Sequence, residues 1–139
     1  MILDQLWRAK PSRSSYVSDL AWNEHVLSIL PPQLAITVSA DSERAAVAAA
    51  AQGKNWAAFD PSVTAALSSK GPDQIVVTGN GFSEQLILWG RGDFNRDGVE
   101  DLLVQSLDTL TQGTYRNTRL FVLTRRAANA NLVLVSSLL

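Results

Sequence analysis

The sequence predicts an α+β fold in which N-terminal helices pack on a C-terminal antiparallel β-meander of about four strands. Three observations predict it. Residues 1–72 carry apolar positions at helical spacing with proline and glycine stops, and residues 73–139 carry short apolar runs parted by polar turns. The 139 residues, 46% of them hydrophobic, suit one core rather than two, since a chain near this length buries roughly 68–70% of its unfolded surface. The expectation is one domain, a mainly helical half over 1–72 and a β half over 73–139, with helices covering one sheet face.

The elements follow in order. Residues 9–16 are polar and rich in Pro and Ser, and read as a loop or arm. Residues 17–30 place Val17, Leu20, Ala21, Leu27 and Leu30 at mostly helical spacing and stop at Pro31-Pro32, which predicts a first helix. Residues 33–39 are short and β-branched, a strand signal. Asp41 can cap a helix whose body is 45–52, with Gly53 as its stop. Asp60-Pro61 repeats that start grammar and predicts a short helix to about Lys70. Beyond Asp73, residues 74–78 and 84–89 read as strands joined by Gly79-Asn80-Gly81, and further strands are expected at 101–108, 119–125 and 132–136. Short turns between successive strands make a meander the economical topology.

Composition removes whole classes of function. Twelve basic against thirteen acidic residues give a net charge of −1, without the basic excess that a nucleic-acid binder carries. The absence of cysteine excludes disulfide scaffolds and thiolate metal sites, and a single histidine, His25, excludes histidine-built zinc sites. The opening ten residues lack the pattern of a signal peptide, and no apolar run approaches the 18 residues of a membrane span.

The chemistry concentrates in residues 92–104, Gly-Asp-Phe-Asn-Arg-Asp-Gly-Val-Glu-Asp-Leu-Leu-Val. Asp93, Asn95, Asp97 and Asp101 occupy loop positions 1, 3, 5 and 9, with Gly98 at position 6. Calcium takes six to eight hard oxygen ligands in flexible geometry, and alternate acidic positions in a tight loop turn their oxygens to one centre. Gly98 permits the turn that adds the backbone carbonyl of Val99. Magnesium, which keeps most of its waters on one or two carboxylates, suits this set less well. The EF-hand pattern fails at position 12, where Val104 stands in place of Glu.

The spacing Asp-x-Asn-x-Asp-Gly-x-x-Asp followed by Leu-Leu-Val resembles the calcium loop of FG-GAP repeats, the blades of integrin alpha propellers and many bacterial surface proteins. The resemblance covers residues 86–104. It implies a loop linking adjacent strands, with Asp93, Asn95, Asp97 and Asp101 as side-chain ligands, Val99 as carbonyl ligand, and Phe94 and Leu102 packed beneath. The Phe-Gly and Gly-Ala-Pro signatures are absent, and the length excludes a propeller of four or more blades. Without a metal, such loops use their carboxylates to accept backbone amides and hold the turn.

Other residues carry less. His25 has no nucleophile motif to serve and reads as an ordinary helix histidine. Arg116 and Arg126 alternate to one strand face, Arg119 and Arg125 to the other, so they read as a solvated strand-end set, or as a contact for an acidic partner. Core packing accounts for most of the tryptophans at 7, 22, 56 and 89, with Trp7 as an anchor for the arm or a partner. The functional expectation is a non-enzymatic calcium-binding interaction module of a bacterial envelope or secreted setting, periplasmic or extracellular, where calcium is plentiful. Inhibitor or immunity proteins offer an analogy of size. The alternative is a small metal-dependent hydrolase with Glu100 or Asp108 as base.

Overall fold

Strand pairing, rather than the helices, organises the chain. The computed structural model describes residues 2–8, 14–37 and 39–138, with Trp7 and Arg8 described in backbone only. Six strands form one antiparallel sheet in sequence order: β1 (Thr64–Leu67), β2 (Gln74–Gly79), β3 (Phe82–Gly92), β4 (Asp101–Leu110), β5 (Arg116–Thr124) and β6 (Val133–Ser137). The fold is therefore α+β with a meander of six strands, not about four. The sheet gains β1 from the half expected to be helical, and the expected 84–89 strand extends to the full length of β3.

Alternation along the strands divides the sheet into two faces. The inner face holds Ile75 and Val77 of β2, Leu86 and Leu88 of β3, Leu102 and Val104 of β4, and Phe121 and Leu123 of β5, all buried in one cluster. The outer face holds a smaller cluster of Leu103, Leu120 and Val122, packed with Phe94, Val135 and Leu138. Helix α1 (Ile2–Arg8) brings Ile2 and Leu6 to that second cluster. Gly90 makes room for it, because a Cβ there would lie 2.7 Å from Leu6 Cδ2.

The inner face is covered mostly by irregular chain. Residues 17–30, expected as a helix, form turns with one 3₁₀ stretch at Val26–Ser28. Local side chains set those turns: the Ser15 hydroxyl accepts the N–H of Val17 and Ser18, and Asn23 Oδ1 accepts the N–H of His25. His25 is accordingly exposed and not in an α-helix. The apolar spacing serves burial all the same, with Val17, Leu20, Trp22, Val26, Leu27 and Leu30 in the core. Arg91 of β3 ties this segment down by donating to the carbonyls of Val17 and Leu20.

The strand expected at 33–39 is not formed among its described residues: a 3₁₀ turn spans Pro32–Leu34, residues 35–37 pair with no strand, and Val38 lies outside the described residues. Helix α2 (Ala40–Ala51) packs on that turn. Its N-cap is Ser39, not Asp41, and Ser39 and Ser42 form a reciprocal capping box. The helix expected at 60–70 is displaced: α3 (Trp56–Phe59) is capped by Asn55 and ends at Asp60, after which β1 pairs with β2. Trp56 is fully buried and its backbone N–H donates to Leu30. No helix among the described residues is long and apolar enough to cross a membrane.

Candidate metal centre

Strands β3 and β4 pair as far as Gly92 and Asp101, and residues 93–100 make the connection between them. The turn is built by its own carboxylates. Asp93, buried, accepts the N–H of Asp97 at 3.1 Å and of Gly98 at 2.7 Å, one on each oxygen. Asp97 Oδ1 accepts the N–H of Val99 at 2.9 Å, and its Oδ2 meets the Asn95 amide at 3.3 Å. Asp101 Oδ2 accepts the N–H of Phe94 at 3.0 Å, which draws the first turn of the loop onto β4. Gly98 has φ +85°, a left-handed conformation open to glycine without strain.

The result brings three of the five expected ligands to one point. Asp93, Asp97 and Asp101 each present a carboxylate oxygen, and these oxygens lie within 4.8 Å of one another. Among the described residues this is the one group of three such side chains close enough to share an ion. Asn95 is exposed beside Asp97, and Val99 lies in the wall of the loop, where a parallel bridge joins it to Ser14. Phe94 and Leu102 pack on opposite faces of the sheet, Phe94 in the outer cluster and Leu102 in the inner one.

Asp101 is the residue whose surroundings are least satisfied. It is fully buried, and its Oδ1 has no hydrogen-bond partner. Burial raises its pKa and the neighbouring Asp97 adds to the rise, while the Thr124 hydroxyl and the Phe94 amide oppose it. Thr124 is its cross-strand neighbour, and its hydroxyl lies close enough to oppose the rise without completing a hydrogen bond, since Asp101 Oδ1 and Thr124 Oγ1 both lack a partner. A buried carboxylate oxygen without a donor carries a desolvation penalty of about 1–3 kcal/mol or more. Asp93, Asp97 and Asp101 can hold a metal ion, which would offset three clustered negative charges.

The arm before the core reaches this loop. Ser14 donates to the Gly98 carbonyl at 3.1 Å and accepts from Glu100 at 2.9 Å, and the Ser15 hydroxyl donates to the Glu100 carboxylate at 3.0 Å. The remainder of the expected arm, residues 9–13, and the Trp7 side chain lie outside the described residues.

A second polar cluster, not anticipated from the sequence, lies at the far end of the inner face. Glu84 and Asp108, both buried, face each other across β3 and β4. Arg119 Nε donates to Asp108 Oδ2 at 2.6 Å, and its terminal nitrogens reach Asp108 Oδ1 at 3.1 Å and Glu84 Oε2 at 3.3 Å. The same guanidinium donates to the carbonyls of Gln33, Leu34 and Ala35, and lies 5.0 Å from the Phe121 ring centroid. Glu84 Oε1 accepts the N–H of Ile36 at 2.7 Å. Arg119 is therefore not part of a solvated strand-end set. The parity reading that parts it from Arg116 holds, but its face is the covered one, and Arg116 is exposed.

A cleft of about 330 Å³ lies beside this cluster, between α2 and the β5–β6 edge, with Arg119, Glu43 and Gln33 in its lining. All five N–H groups of Arg119 already face protein acceptors, so it offers no donor to an anion there. Period two signals which face Arg119 and Glu84 share with the core, but no local pattern signals their pairing across 35 residues. Comparison with protein-family models, with curated proteins and with solved structures finds no match for this chain.

Proposed function

We propose that the chain is a non-enzymatic interaction module with a structural calcium ion held by Asp93, Asn95, Asp97, the Val99 carbonyl and Asp101. The single observation that carries this is the grouping itself: one carboxylate oxygen each of Asp93, Asp97 and the fully buried Asp101 within 4.8 Å of one another. The spacing shared with FG-GAP loops supports the same ligand set, and an oxygen-only set of this size suits calcium best. The loop joins the two longest strands, so an ion there neutralises repulsion where the sheet is pinned and couples binding to folding. An envelope or secreted setting follows from the chemistry, because loops of moderate affinity fill where calcium is millimolar.

The surroundings of the two expected bases favour a structural ion over a hydrolytic one. Asp108 lies seven residues from Asp101 along β4, roughly 23 Å at ~3.3 Å per residue, and is bound to Arg119. Glu100 accepts the Ser15 hydroxyl. Thermal melting tests the reading. Calcium at about 100 times its Kd is expected to raise the melting temperature by about 5–10 °C, and a chelator to reverse it. The rise is expected to disappear in Asp93→Asn/Asp101→Asn. An unchanged melting temperature in calcium would refute the metal site.

A further inference from the structure

Among the described residues, α1 covers the outer sheet face over Leu103, Leu120 and Val122 and reaches β3 at Gly90. Across β2, β3 from Ser83 to Trp89 and the middle of β4 the outward positions are half-buried or exposed, and none is charged: 74, 76 and 78 of β2, 83, 85, 87 and 89 of β3, and 105, 107 and 109 of β4. In a chain with 25 charged side chains, a strip of three adjacent strands without one is a selective feature. Trp89 stands at its loop end, 46% exposed, on the bulge where the β3–β4 register shifts between Leu88 and Gly90. It is not a core tryptophan, unlike Trp22 and Trp56.

The ring is held in place. Trp89 Nε1 donates to Gln105 Oε1 at 2.9 Å, which fixes the indole edge toward β4 while nearly half of the side chain meets solvent. Farther along the strip, the Gln85 amide donates to Gln74 Oε1. Each glutamine amide has two donor hydrogens and an acceptor oxygen. These bonds use the Gln105 and Gln74 oxygens and one Gln85 hydrogen, leaving the Gln105 and Gln74 amino groups and the Gln85 oxygen without a bond to one another. Val76 and Ile87 are half-buried between the amides.

We propose that this strip binds a neutral oligosaccharide, with Trp89 as the stacking platform and Gln74, Gln85 and Gln105 as hydroxyl partners. A sugar ring presents an apolar C–H face to an indole and a rim of hydroxyls that both donate and accept, the pairing that a fixed ring among oriented amides satisfies. The absence of charge matches a ligand that carries none. Trp89, 46% exposed, is the most exposed apolar side chain of the strip, and Val76, Ile87 and Leu107 are half-buried among its amides and hydroxyls. From Ser83 to Trp89 the platform runs about 20 Å at ~3.3 Å per residue, enough for a chain of several sugar units. The inference deepens the binding-module part of the proposed function, on which it rests, and is independent of the metal part.

Calorimetric titration of the full chain with cellohexaose, chitohexaose, xylohexaose and mannohexaose tests it. At least one is expected to bind, with affinity lowered at least tenfold in Trp89→Ala and clearly in Gln85→Leu. Both variants are expected to keep the wild-type melting temperature and its response to calcium, which separates failure here from failure of the metal reading. Three results would each overturn the proposal: no binding of any probe at 10-millimolar order, binding that Trp89→Ala leaves intact, or self-association that Trp89→Ala abolishes, which would assign the face to a second copy.

Discussion

Glu84 and Asp108 share one guanidinium in a place that water barely reaches, and burial dominates what happens to Glu84. It raises the pKa well above the ordinary value, Asp108 pushes the same way, and Arg119 and the Ile36 amide oppose. The folded chain therefore holds the Glu84 proton more tightly than the unfolded chain. The stability from that proton is complete below the ordinary value of about 4.3, and is lost as pH rises through the raised native value. Glu84→Gln, which imitates the protonated form, is expected to show a melting temperature that falls less steeply than wild type from about pH 4.3 upward; parallel curves would contradict the assignment. Arg119 is more exacting. Arg119→Met leaves two buried carboxylates and three backbone carbonyls without their donor, and a loss of about 3–5 kcal/mol is expected in urea titration. Arg119→Lys keeps the charge but not the fork, so its loss is expected to be smaller.

Among the elements, the 93–100 loop is specified by its own residues. Asp93 and Asp97 close it on backbone amides, and Gly98 takes the one conformation the turn requires. Gly98→Ala is expected to lose about 1–2 kcal/mol of stability and to weaken calcium binding together with it, both read from melts across a calcium series. The loop and β2 to β5 were legible because alternation, Gly/Asn turns and carboxylate spacing are local signals. The covering segments were not. Residues 17–30 have helical apolar spacing, yet Ser15 and Asn23 capture backbone amides and turn the chain. Residues 33–36 resemble a strand, but the carbonyls of Gln33, Leu34 and Ala35 accept from Arg119 and the Ile36 amide donates to Glu84. Ala65-Ala66-Leu67 favour a helix intrinsically and become strand because β2 offers an open edge. In each case a distant partner outweighs the local preference.

Over the whole molecule, the arm at Ser14 and Ser15 is tied to the loop between β3 and β4. The Ser14 backbone is bonded to Gly98 and Glu100, so an ion that orders the loop also orders the arm. Limited proteolysis is expected to cut residues 14–20 faster in chelator than in calcium, with cleavage sites read by mass spectrometry; equal rates would uncouple arm from loop. The same arrangement fixes an order of events during synthesis. Val17, Trp22, Leu27 and Leu30 cover strands that end at Thr124, about 94 residues after Leu30. At ~5–20 residues per second, a nascent chain carries this apolar segment uncovered for roughly 5–20 s before the surface it fits exists. The covering segment precedes in the chain the surface that it covers, so during synthesis it waits uncovered for its own sheet.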